Sequence, residues 1–143
     1  MAHPLPAGAR AALCRALEKA GLPIDDVEEP GRLFWRFETE EQVPVGYGGL
    51  EVHGKEALVR SVLTLPPARH RGIGAKIVAA LETEAFIAGC RSVWAITASA
   101  GPFFERLGYA VCERSQVPEA IAGTRQFRSI CPDSARVLVK GLR

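Results

Sequence analysis

Ala57-Leu58-Val59-Arg60-Ser61-Val62-Leu63-Thr64-Leu65-Pro66, followed two residues later by Arg69-His70-Arg71-Gly72-Ile73-Gly74-Ala75, decides how this chain folds. The first run is apolar and β-branched and is closed by Pro66-Pro67, the pattern of a buried strand. The second is a basic, glycine-bearing loop that runs into Ile73, Ile77, Val78, Leu81 and Ala85 at helical spacing, with Gly89 as the stop. Strand, tight loop and helix in this order make an anion site. The first turn of a helix has amide N–H groups without intrahelical partners, and its dipole adds about half a positive charge there. Gly72 and Gly74 carry no side chain to hold a phosphate away, while Arg69, Arg71 and His70 add charge. The spacing R-x-x-G-x-G is neither G-x-G-x-x-G nor a P-loop, which ends in Lys and Ser or Thr.

Working outward, Ser92 to Thr97 supplies the next strand, expected to lie parallel to Ala57–Leu65 because strand–helix–strand crossovers are right-handed and parallel. Upstream, Pro6 to Ala20 reads as an amphipathic helix on Ala9, Leu13, Leu17 and Ala20. Leu33 to Phe37 and Val45 to Val52 read as strands around an acidic turn from Glu38 to Gln42, and His53-Gly54-Lys55 turns into the strand at Ala57. Downstream, a short helix begins at Gly101 or Pro102 and ends near Arg106, Tyr109 to Glu113 returns as a strand, residues 117 to 131 hold two short helical turns, and Arg136 to Leu142 forms the last strand.

At 143 residues the chain is the size of one domain, 1–143, with one core expected. Hydrophobic residues at 48% and charged residues at 24% are globular values. A formal charge of +2, with both signs mixed along the chain, is too small for nucleic-acid binding, which needs several cations on one face. No apolar run reaches the ~20 residues that cross a bilayer, and the N-terminus lacks the form of a signal peptide, so no membrane association and a cytoplasmic location are expected. Cys14, Cys90, Cys112 and Cys131 are too scattered, and His3, His53 and His70 too few, for a zinc site or a disulfide framework; no metal is expected.

These residues resemble the GNAT superfamily of N-acetyltransferases: the central strand at 57–66, the Arg-x-x-Gly-x-Gly loop, and Phe103-Phe104-Glu105-Arg106-Leu107-Gly108-Tyr109 stand in that family's order. The resemblance implies an α/β (α+β) fold with a mixed, mostly antiparallel sheet, a central splayed parallel strand pair and helices on both faces. Met1 to Pro6 leaves little room for the family's opening strand, so the first edge strand is expected to be short or absent.

Acetyl-CoA is the co-substrate the resemblance implies. Its pyrophosphate would lie over the amides of His70 to Ala75, with Arg69, Arg71, Gly72, Ile73 and Gly74 around it, and its pantetheine arm beside Val62, Leu63 and Thr64. A backbone N–H near Leu63 or Thr64 would polarise the acetyl carbonyl. The acceptor amine must shed a proton, and Glu51, on the neighbouring strand, is the candidate base; Glu105 is a weaker one. Many family members have tyrosine where Phe104 stands. The ring still packs against the cofactor arm, but the acid step is open to Ser99, to water or to an unassisted thiolate, whose acid has a pKa of about 8.5. The stretches 114–121 and 127–135 are similar to N-acetyltransferases of arsenic-resistance operons, which implies a small amino-acid-like amine, with Arg60, Arg125 and Arg128 as candidates to hold an acidic group. Homodimerisation through the C-terminal strand is a further expectation. A non-catalytic acyl-CoA-binding module and a peptide N-acetyltransferase are the alternative readings.

Overall fold

The computed structural model describes residues 2–6, 8–22, 24, 27, 31–66, 72–125, 127–128 and 135–142. Along the chain these form β1 (Ala2–Pro4), α1 (Ala11–Lys19), β2 (Arg32–Glu38), β3 (Pro44–His53), β4 (Glu56–Thr64), α2 (Ile73–Ile87), β5 (Ser92–Thr97), α3 (Gly101–Arg106), β6 (Ala110–Cys112), a 3₁₀ turn (Arg114–Gln116), α4 (Glu119–Ala122) and β7 (Arg136–Gly141). The seven strands make one sheet in the order β1-β2-β3-β4-β5-β7-β6. Only β4 and β5 run parallel, as the intervening α2 requires. The first edge strand is present and short, three residues paired with β2. Helix α1 begins at Ala11 rather than Pro6, and residues 129–134, Cys131 among them, lie outside the described residues.

Alternation along the strands sorts the core into two layers. On one face Trp35, Phe37, Leu50 and Val59 meet Ile77, Val78 and Leu81 of α2 and Phe104 of α3. On the other, Phe34, Tyr47 and Leu63 meet Leu13 and Leu17 of α1, while Leu58, Trp94 and Val137 meet Ile121 of α4. Helices therefore cover both faces. Helix α2 departs from a strict amphipathic reading at its end, where Phe86 and Ile87 are exposed.

Arg10 performs an unexpected structural task from beside α1. Its guanidinium donates to the carbonyls of Val27 at 2.9 Å and Arg32 at 3.1 Å and lies 4.8 Å from the Phe34 ring centroid, tying the entry of α1 to β2. Gly48 of β3 has a different role: a Cβ there would lie 2.8 Å from Ile77 Cγ2 and 3.0 Å from Leu81 Cδ1, so its bare backbone lets α2 sit close to the sheet. Gly48→Val is expected to lower stability by about 1–3 kcal/mol through overpacking, read as a fall of several degrees in Tm; an unchanged Tm would show that α2 moves away freely.

Candidate active site

The site begins with an irregularity in β4. Tyr47 pairs with Leu63 and Gly49 with Arg60, so Ser61 and Val62 together oppose Gly48; one extra residue is inserted into β4, and Ser61 takes a left-handed φ of 55°. Pairing between β4 and β5 runs from Glu56 with Ser92 to Val59 with Ala95. Beyond that, β4 continues to Thr64 and β5 to Thr97 without further pairs between them. The two parallel strands part at the bulge.

The parting exposes one row of backbone groups. The Leu65 amide donates to the Val45 carbonyl of β3 at 2.8 Å. Because successive amides of a strand point to opposite sides, the Thr64 amide, and the Val62 amide two residues earlier, turn toward the cleft. Leu63 has its amide on the β3 side, and its buried side chain packs under α1.

Helix α2 starts at the top of this cleft. Gly72 precedes it in the left-handed conformation, φ 72° and ψ 14°, and no side chain caps the helix N-terminus; its first turn holds no acidic residue. Among the described residues, nothing lies within 4 Å of a Cβ at Gly72. Gly74 is different: a Cβ there would lie 3.3 Å from the edge of the Phe103 ring and 3.6 Å from Thr64 Oγ1. The uncapped amides of Gly72 to Ala75 thus share one helix terminus, and Gly74 sets it beside Thr64. Arg69, His70 and Arg71, expected around the same anion, lie outside the described residues. The donor set fits a diphosphate: an uncapped helix N-terminus with glycine on its approach, and an open strand edge below it suits an amide-bearing arm.

Phe104 is buried among core residues, edge-on to Tyr109 with ring centroids 5.2 Å apart, whereas its neighbour Phe103 is partly exposed and stands against Gly74. Sequence reasoning picked the motif and missed the ring nearest the helix terminus, because adjacent phenylalanines on a six-residue helix give no periodicity to separate them. Tyr109 is structural. Its hydroxyl donates to Glu82 at 2.8 Å, and Lys140 holds the same carboxylate at 3.1 Å; burial first, then the bond to Glu82, pushes its pKa well above the ordinary phenol value. Ser99 is exposed just beyond β5, and Glu105 is exposed 3.7 Å from Arg136.

A second group of side chains sits on the α1 and α4 face of the sheet. Glu51 on β3 is fully buried, with Oε2 3.1 Å from Arg60 Nη1 and Oε1 3.1 Å from His53 Nε2; Arg32 Nε lies 3.9 Å from Oε2. Arg60, considered from sequence as a surface arginine or a substrate ligand, has a wholly buried side chain that spans β4 to Glu51 and lies 5.5 Å from the Phe34 ring centroid. Arg128 is exposed beyond α4. The structure therefore joins Glu51 to Arg60 and adds His53 and Arg32, which sequence reasoning passed over. The signal was there: Glu51 and His53 are two apart on one strand and share a face. A separate groove of about 500 Å³ runs between α1 and the end of β4, lined by Ala12, Arg15, Ala16, Lys19, Leu63 and Leu65.

Comparison with known proteins agrees with this geometry. The family model described as acetyltransferase (GNAT) family matches residues 10–109. Among solved structures, an acetyltransferase of the GNAT family from Staphylococcus aureus is 17% identical over 100% of both chains, with a TM-score of 0.72. A Mycobacterium tuberculosis protein solved in complex with CoA is 19% identical over 100% of this chain and 99% of its own, with a TM-score of 0.77. N-acetylglutamate synthase from Neisseria gonorrhoeae, complexed with coenzyme A and N-acetyl-glutamate, is 18% identical over 100% of this chain and 35% of its own, with a TM-score of 0.75. No curated protein matches the sequence. At these identities the solved structures speak for the fold. Among the described residues, no helix is long and apolar enough to cross a membrane.

Proposed function

The chain belongs to the acetyltransferase (GNAT) family, and from that premise we propose that it is an acetyl-CoA-dependent N-acetyltransferase acting directly on the amine of a small, amino-acid-like acceptor. The observation that carries this reading is the parting of β4 from β5 beside the uncapped N-terminus of α2. Acetyl-CoA, when bound, supplies an acetyl group already activated as a thioester.

The chain's own residues then have distinct tasks. Gly72 and Gly74 leave the amides of the first turn of α2 open to a diphosphate, and Arg69, His70 and Arg71 add charge around it. The cleft-facing amides of Val62 and Thr64 hydrogen-bond the arm and the acetyl oxygen; the sequence offered Leu63 or Thr64 for this, and the alternation of β4 favours the even-numbered residues. Glu51 takes the proton of the acceptor amine, directly or through one water. Arg60 holds Glu51 in place, which leaves the exposed Arg128 as the candidate to meet an acidic group on the acceptor.

The resemblance to arsenic-resistance-operon enzymes sets the acceptor panel: amino acids, their arsenic- and phosphorus-containing analogues, simple alkylamines, and peptides with free N-termini. Incubation with acetyl-CoA and this panel is expected to release free CoA thiol with at least one small amino acid analogue and not with peptides. CoA binding with no turnover on any amine would select the non-catalytic module instead. Absence of CoA binding would end the reading altogether.

A further inference from the structure

The buried position of Glu51 poses a problem that the reaction must solve at every turnover. Glu51 is all but closed to bulk water, so with the acceptor seated against it a proton taken up there needs a neighbour to carry it out. Arg60 and Arg32 are permanently protonated donors and cannot accept one. His53 can. Its Nε2 lies 3.1 Å from Glu51 Oε1, and its side chain is 34% exposed while those of Glu51 and Arg60 are 1% and 0% exposed. Among the partners of Glu51 described here, the imidazole alone can both receive a proton and reach water.

The geometry points to His53 as the relay that carries the acceptor's proton from Glu51 to solvent, a role that rests on the reading of Glu51 as proton acceptor. The steps balance as proton transfers alone. The amine N–H bond breaks as the carboxylate O–H bond forms. Glu51 then passes that proton to Nε2 of a neutral imidazole protonated on Nδ1, and the imidazolium gives its Nδ1 proton to water. Each cycle returns Glu51 to the carboxylate and leaves the neutral ring protonated on Nε2; the partly exposed side chain then takes a proton from water on Nδ1, swings Nε2 into solvent to release the other proton, and so regains its starting tautomer. Histidine suits the task because one ring nitrogen can accept a proton while the other donates one.

The position is local to the β3–β4 hairpin. His53 pairs with Glu56 across the hairpin, and Lys55 occupies the turn between them. The ring touches Glu51 on its own strand, Glu56 stands opposite it in the pairing on β4, and Arg60 on β4 and Arg32 on β2 complete the group on Glu51. His53 reaches the reaction through Glu51 and is therefore a positioning and relay residue, not one that touches the substrate.

The test is chemical rescue. The acetylation rate of His53→Ala, with the best acceptor of the panel above, is expected to fall at least about tenfold in kcat, within the range for a lost proton-transfer group, while KM for acetyl-CoA holds. Adding imidazole at tens of millimolar should restore much of that loss, and substituted imidazoles should rescue in the order of their basicity. His53→Gln, which keeps a hydrogen bond to Glu51 but cannot relay, should be equally slow. A folded His53→Ala enzyme with the kcat of the parent, or a slow one that imidazole does not rescue while His53→Gln remains fast, overturns the relay. Failure of the parent enzyme to acetylate any acceptor instead removes the functional reading beneath it.

Discussion

Replacing Gly72 with aspartate is expected to weaken CoA binding sharply and leave the fold intact. Gly72 has φ 72°, a region that aspartate and asparagine tolerate better than other side chains, and a Cβ there meets none of the described residues within 4 Å. A carboxylate at the N-terminus of α2 is even favourable to the empty protein, by about 0.3–1 kcal/mol through the helix dipole. Stability should therefore change by less than about 1 kcal/mol. Binding is another matter, because the same carboxylate faces the negative charge of the diphosphate. At an effective dielectric of about 20, two unit charges ~4 Å apart repel by about 4 kcal/mol; discounting half for solvent exposure leaves ~2 kcal/mol, or about 30-fold in affinity. Gly72→Asn has the same shape without the charge. It should lose much less, and the gap between the two variants should narrow as salt is raised. Calorimetric titration with CoA, alongside thermal melts, reads both quantities. Equal affinities for aspartate and asparagine at low salt would place the diphosphate elsewhere.

That prediction could be framed from sequence because the information is local. Glycines at 72 and 74, a proline-closed strand before them and apolar spacing after them fix strand, loop and helix with no knowledge of the rest of the chain. The same holds for the parallel pairing of β4 with β5, which follows from the length of the crossover. Non-local geometry was not legible. Whether Glu51 faces solvent or core depends on what α1, α4 and β2 place over that face, and the pattern of β3 alone does not carry it. The bulge at Ser61 and Val62 is a register shift between two strands, visible only once both are paired. That Phe103, and not Phe104, stands against Gly74 is equally non-local, because the contact of Gly74 with one ring and of Tyr109 with the other is made across three elements.

The fate of Glu51 separates structure from chemistry most sharply. Glu51→Leu is expected to destabilise the protein by about 3–5 kcal/mol, because it strands the Arg60 guanidinium, whose side chain is entirely buried, without its counter-charge. Loss of activity in that variant alone would therefore say little. Pairing it with Arg60→Met changes the question. A buried ion pair replaced on both sides by apolar groups of similar volume costs little or even gains stability, since two desolvation penalties disappear with the attraction. Arg32 lies farther from the carboxylate, at 3.9 Å, with a side chain 14% exposed. The double variant should recover most of the denaturation midpoint lost by Glu51→Leu. Its activity should not recover: without a proton acceptor, kcat should stay down by about 10²–10⁴, and raising pH toward the acceptor's own ammonium titration should narrow that deficit by supplying neutral amine directly. If acetylation returned with the fold, Glu51 would be a counter-ion for Arg60 and nothing more, and the proton of the amine would have to leave by a route that bypasses β3.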